Sequence, residues 1–242
     1  MNIEQLHRLV AVDGPFSSIY FSDPGRSVSA VEREAHWWDV AHGLVELHIP
    51  PVHIEHAAAT VLDETPPSTH VGRAVITNDQ QTWLDHILSW VPETVVARHS
   101  RLPHLFPLIE SELTEDLGPI TDHHSRSARR LEGLADVCRA LRSGAVDTLE
   151  VGNLRNEVVF VGDLPNWVAT EADVLVELGS VAITTELAVE ALPYAAVATE
   201  SAIVLLHDRA TSNCACAASI RGVPATGRLK THADQGHRSG RG

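Results

Sequence analysis

Residues 131–152 (LEGLADVCRALRSGAVDTLEVG) constrain the fold more than any other stretch of the chain. Leu131, Leu134, Ala135, Cys138 and Leu141 recur at helical spacing, which makes one helix face apolar. Gly144 follows, and glycine readily takes the left-handed conformation that ends a helix. Residues 148–152 (TLEVG) then read as a buried strand. A helix closed by glycine and followed by a strand is the repeating unit of α/β folds. The C-terminal half keeps that alternation. Residues 157–161 read as a strand, 169–178 as a helix stopped by Gly179, and 184–192 as a helix stopped by Pro193. Residues 195–199 read as a strand, and 202–206 extend the apolar character. The pattern predicts a sheet with helices on both faces.

The N-terminal half has a different rhythm. Ile3, Leu6, Leu9 and Val10 give a short helix one apolar face, ending near Asp13-Gly14. Beyond Pro15, Phe16, Ser18 and Tyr20 alternate with Ser17, Ile19 and Phe21, as in a strand covered on both sides. Asp23-Pro24-Gly25 breaks it. Ser29 and Glu32 form a capping box for a long helix whose core stripe reads as Val31, Ala35, Trp38, Ala41 and Leu44 or Val45. Trp37 and Trp38 lie about 100° apart on a helix, so they cannot both face one core. Pro50-Pro51 ends that helix, and a second follows over about 52–63. Residues 72–88 read as a hairpin turning at 78–81, residues 94–98 as a strand, and the proline-rich 102–109 as an edge segment or linker helix. Gly, Pro, Asp, Ser and His over 114–127 mark a boundary. The expected organisation is α/β in two domains: an N-terminal α+β domain over 1–113, a linker over 114–127, a C-terminal domain over 128–222, and a flexible basic tail over 223–242.

Charge narrows the partners. The 242 residues carry a net charge of −14, but residues 1–208 hold 12 Arg against 31 Asp or Glu (net −19). Residues 209–242 hold six Lys or Arg against one Asp (net +5). An acidic body repels phosphate backbones, which disfavours broad non-specific nucleic-acid binding. The sequence has no run of 18 apolar residues, so no membrane span is expected. A start (MNIEQLHRLVAV) without the basic-then-apolar layout of a secretory signal, and an odd three cysteines, point to a reducing cytoplasm.

Chemical motifs are sparse. His53 and His56 flank Glu55, but a zinc-hydrolase helix needs its histidines four apart, so these read as surface histidines. His123-His124 falls in the expected linker. Cys214-Ala-Cys216 lacks a second cysteine pair, and Cys138 reads as a small core residue. No metal site follows. Gly-x-Ser-x-Gly, the phosphate-binding Gly-x-x-x-x-Gly-Lys-Ser and Gly-x-Gly-x-x-Gly are all missing, so no catalytic residue and no cofactor are assigned. The densest basic patch outside the tail is Arg126, Arg129 and Arg130, with Arg139 and Arg142 beyond. Placed on the first turn of the helix, those cations oppose its dipole unless an anion compensates. They are the candidate contacts to RNA or a partner.

Four pieces of the chain carry a resemblance: GPFSSIYF, RLPHLFPLIE, GLADVCRAL with GAVDTL, and EALPYAAVA. With the opening LHRLVAVDGPFSSIYFSD and AVEREAHWWDV, the chain resembles actinobacterial members of the bacterial archaeo-eukaryotic release factor family. These are related to class-1 release factors, pelota and the hibernation factor Balon. The resemblance implies a C-terminal three-layer α/β/α domain of the pelota type. It also implies a middle RNase-H-like domain whose Gly-Gly-Gln loop orients water at the peptidyl-tRNA ester. No Gly-Gly-Gln occurs here, and a junction of this length cannot hold a domain, since compact domains rarely fall below about 50 residues. Pro224, Gly222 and Gly227 interrupt the family's closing helix, so the sequence reads as degraded or drifted from about Cys214 onward. The function implied is that of a non-catalytic, ribosome-associated stress protein of hibernation or rescue type. Its partner would be the ribosome or a translation factor, and peptidyl-tRNA hydrolysis is the alternative.

Overall fold

A computed structural model describes residues 3–115, 130–154, 156–206 and 215–221. Helix α1 (Ile3–Val10) buries Leu6, Leu9 and Val10. Strand β1 (Phe16–Asp23) is central in an antiparallel sheet ordered β3-β2-β1-β4, with β2 (Val71–Thr77), β3 (Thr82–Leu88) and β4 (Val96–Ser100). Alternation along β1 feeds two cores. Ile19 and Phe21 pack against α2 (Ala30–Glu46) and α3 (Pro51–Asp63), while Phe16 and Tyr20 join the cluster on the other side. Each fully buried large aliphatic side chain contributes about 1.5–3 kcal/mol.

The capping box forms as read: Ser29 Oγ accepts from the Glu32 amide, and Glu32 accepts from the Ser29 amide at 2.8 Å. The core stripe of α2 holds only at Ala41 and Leu44. Trp37, Val40, Ala41 and Leu44 face the sheet, whereas Val31, Ala35, Trp38 and Val45 are exposed. Both stripes are apolar, and the sheet takes the one whose tryptophan meets Phe21 edge-on at 5.5 Å. The β2–β3 turn is held by Asn78, whose Oδ1 accepts from the amides of Gln80 (2.9 Å) and Gln81 (3.2 Å). Residues 102–105 cross without regular structure into helix α4 (Phe106–Glu115).

Beyond residue 130 come β5 (Arg130–Glu132), α5 (Leu134–Arg142), β6 (Val146–Val151), β7 (Val158–Val161), β8 (Val168–Ala169), α6 (Ala172–Glu177), β9 (Thr184–Leu187), α7 (Ala188–Ala198), β10 (Ala202–Leu205) and β11 (Cys216–Ile220). They build a mixed sheet, β10-β6-β11-β5, and a small antiparallel one, β8-β7-β9. The expected single sheet is therefore two. Gly144 ends α5 at φ +65°, with the Ala145 amide bonded back to the Ala140 carbonyl at 3.0 Å.

Two local readings are overturned. Residues 184–187 are a strand, and residues 195–198 are helical, because one helix runs through Pro193. Every residue from Ala188 to Val197 is buried, and that burial outweighs the backbone bond lost at Pro193. Nor does the fold degrade at Cys214: β11 pairs with both β6 and β5, and Cys216, Ala217 and Ala218 are buried. Its signal was weak because a five-residue strand of small side chains carries little hydrophobic pattern. Gly222, Pro224 and Gly227, with the rest of the expected tail, lie outside the described residues, as do Cys214, His123, His124 and positions 116–129 of the linker region.

The halves share packing. One apolar cluster runs from Leu6, Phe16 and Leu108 to Val137, Leu149 and Ala191. Tyr194 donates its hydroxyl to the Val10 carbonyl at 3.2 Å across it. No helix among the described residues is long and apolar enough to cross a membrane.

Candidate functional site

Of the three arginines singled out in sequence, Arg126 and Arg129 lie outside the described residues. Arg130 is not on a helix. It sits in edge strand β5, and the helix begins only at Leu134, after Gly133 at φ +93°. A glycine at that angle cannot continue a right-handed turn, which separates strand from helix. Arg130 reaches across β11 to Glu150 at 2.7 Å and approaches Glu132 at 3.7 Å. Arg139 pairs with Asp136 at 2.9 Å, and Arg142 donates to the Val168 carbonyl. The described part of the patch is thus engaged internally.

The greatest concentration of chemistry lies elsewhere. Ser17 on β1 contacts His53 Nδ1 at 2.7 Å through its hydroxyl, and His53 Nε2 contacts Asp79 Oδ1 at 2.8 Å. His99 on β4, directly opposite Ser17 in the register, contributes Nδ1 at 3.0 Å. Ser17 and His53 are 0% exposed, whereas the Asp79 side chain is 71% exposed. His53, far from being a surface residue, is carried inward on the first turn of α3 by Pro50-Pro51. His56 follows it part-way, with Nδ1 at 3.0 Å from the Asn78 carbonyl.

Two proton arrangements satisfy this relay. With a neutral His53, Nε2–H donates to the Asp79 carboxylate, Ser17 donates to His53 Nδ1, and His99 Nδ1–H donates to Ser17. With an imidazolium at His53, Ser17 accepts from it and donates to His99. Burial, then the neighbouring His53, hold the His99 imidazole below its ordinary value of 6.5, against the pull of Asp79. The first arrangement has the order of an acyl-transfer triad, carboxylate to imidazole to hydroxyl. Its serine, however, is sealed by the strand pairing and by both imidazoles. As folded, the relay pins α3 to the sheet. Two adjacent serines in a strand buried on both faces were the available signal, since buried hydroxyls find partners. Ser18 shows the same rule, accepting from the His104 amide at 2.9 Å.

Two further polar networks are buried. Arg73 binds Asp85 bidentately (2.7 and 2.6 Å) and also Asp23 (3.0 Å) and Glu64 (3.2 Å), joining β1, β2 and β3. Glu64's own side-chain hydrogen bond with Asp85, then burial, raise the Glu64 carboxyl above its ordinary value, against the pull of Arg73. Where the halves meet, the fully buried Glu190 on α7 binds Arg98 of β4. His104 Nδ1 stands 3.1 Å from the same carboxylate at an angle that makes no hydrogen bond. Arg101 adds bonds to the Gly162 carbonyl and the Thr184 hydroxyl, each at 2.9 Å. Burial, then Glu190, raise the Glu186 carboxyl and the Tyr20 hydroxyl above their ordinary values. Among the described residues no group of three or more His, Cys, Asp or Glu is arranged to hold a metal ion.

No family model matches the sequence. Two uncharacterized proteins of Mycobacterium tuberculosis, MT2704 of strain CDC 1551 / Oshkosh and Rv2629 of strain ATCC 25618 / H37Rv, are similar to it. Each is 25% identical over 373 aligned positions that take in 96% of this chain and all of the relative. The chain has only 242 residues, so more than a hundred positions of each relative face no residue here. Those positions lie inside the alignment, not beyond its ends.

Proposed function

We propose that the chain is a non-catalytic binding protein of translation, a shortened relative of the bacterial archaeo-eukaryotic release factor family. In this reading an N-terminal α+β domain and a C-terminal α/β/α domain of the pelota type remain, and the middle domain is gone. It works in the cytoplasm by occupancy, lodging at or near the ribosomal A site under stress without bond chemistry. The observation that carries the reading is the length difference: 96% of the chain aligns with relatives far longer than itself. Supporting it, the four family-like pieces become β1, the approach to α4, the α5–β6 unit and α7, the parts that fill the shared core. The sequence also holds no Gly-Gly-Gln.

The test is sedimentation of the purified chain with ribosomes at rising salt. Co-sedimentation that weakens with salt, and with Arg126→Glu and Arg129→Glu, is expected. Arg130→Glu weakens it less, because Arg130 is already held by Glu150. Failure to co-sediment at any salt removes the reading. Peptidyl-tRNA hydrolysis is favoured by one observation, the Asp79–His53–Ser17 order. It requires ester cleavage by the wild-type chain that disappears in Ser17→Ala.

A further inference from the structure

We infer that the outer face of α2 and the cleft beside it form a docking surface for a basic amphipathic helix of another protein. The inference does not depend on the translational reading. Val31 (76% exposed), Trp38 (50%) and Val45 (61%) stand seven residues apart, with Ala35 between the first two. At about 100° per residue they make one straight stripe, some 130° from the face that Trp37, Val40 and Leu44 bury. It spans about 21 Å, or four turns. A large half-exposed tryptophan centred in an apolar row is the composition of an interface anchor. Nothing in the folding of α2 requires it, because the other stripe already supplies the core.

Charge selects the partner. Glu34 flanks the stripe on one side, and Asp39 and Glu46 flank it on the other; all three are exposed. Arg33, the only arginine of α2, is turned away and donates to the Leu62 carbonyl at 3.3 Å. On the Asp39 side a cleft of about 260 Å³ opens between α2 and residues 92–95, with Asp39 and Glu93 on its walls. His36 is already spent there, its Nε2 at 2.7 Å from the Ser22 carbonyl. A second copy of this chain would set acidic rims against acidic rims, and nucleic acid or anionic lipid would meet the same repulsion. A helix with apolar residues at heptad spacing and Lys or Arg on both flanks satisfies the whole surface. Its apolar row covers Trp38, and one cation reaches the cleft between Asp39 and Glu93.

The experiment uses the full chain and two fluorescein-labelled synthetic helices of about 18 residues. Both carry leucine at heptad positions; one has lysine flanks and the other glutamate flanks. Fluorescence anisotropy should show saturable binding of the lysine peptide and at least about tenfold weaker binding of its glutamate twin. Trp38→Ala should weaken the lysine peptide by about tenfold or more. Glu34→Lys with Asp39→Lys should shift the preference toward the glutamate peptide, and these exposed positions leave the fold intact if Trp38→Ala does not. Equal binding of both peptides, no binding of either, or indifference to the Asp39 and Glu34 reversals overturns the inference. So does a dimer in analytical ultracentrifugation that Trp38→Ala dissolves, since the face would then belong to a second copy.

Discussion

Ser17→Ala separates a structural clasp from a latent nucleophile. Alanine deletes one oxygen and with it the 2.7 Å contact to His53 and the 3.0 Å contact to His99. The His99 ring is desolvated only on the side facing Ser17 and His53 and can turn its other edge to water, so its share of the loss is small. His53 is fully buried, and its Nδ1 is left without a partner. An orphaned buried polar atom costs about 1–3 kcal/mol. In a chain of this length that lowers Tm by about 3–10 °C. Urea unfolding followed by tryptophan fluorescence measures it, with an unchanged m-value showing that only stability moved. His99→Ala is the companion: it should cost less than about 1 kcal/mol while uncovering the Ser17 hydroxyl. A Ser17→Ala chain within about 0.5 kcal/mol of wild type refutes the clasp. Ester hydrolysis gained in His99→Ala and lost again with Ser17→Ala refutes it from the other side. Because His99 is held below 6.5 in the fold, the unfolded chain takes up its proton first. The stability tied to His99 is therefore full above pH 6.5 and drains as pH falls below it, a slope that His99→Gln should flatten.

Arg73→Met should cost about 3–5 kcal/mol in the same unfolding assay, because Asp23, 1% exposed, loses the one cation it pairs with among the described residues. A loss below about 1 kcal/mol would mean that the network is solvated and idle. Glu186→Gln should raise Tm at pH 7, since burial and Glu190 penalise the ionised form. That gain should vanish as pH falls below the ordinary 4.5, where the unfolded chain is also protonated. Cys138, buried and with its thiol pushed up to about 12, should resist iodoacetamide at pH 8 in the folded chain and react once urea unfolds it. Mass spectrometry reads the difference.

Elements set by local chemistry were legible in the chain. The Ser29–Glu32 box, the Asn78 turn and the Gly144 stop each depend on residues within a few positions, and each forms. Geometry also foretold that only one of Trp37 and Trp38 could face inward, but the stripe reading picked Trp38 where the fold buries Trp37, because α2 carries two apolar stripes and the choice belongs to the sheet beneath. Residues 184–198 misled for a related reason. Pro193 is a local breaker, and its effect is overridden by burial that no short window reveals. The relay was illegible in a stricter sense. Ser17 meets His53 across 36 positions and His99 across 82, and each residue is unremarkable among its neighbours. Strand pairing, not motif spacing, brings them together.

Sucrose-gradient fractionation of lysates from growing and starved cells, probing for this protein, bears most directly on whether it is a ribosome-associated factor. Enrichment in ribosomal fractions on starvation, lost when the gradient salt is raised, is the expected result. Residence in the soluble pool alone under both conditions contradicts it.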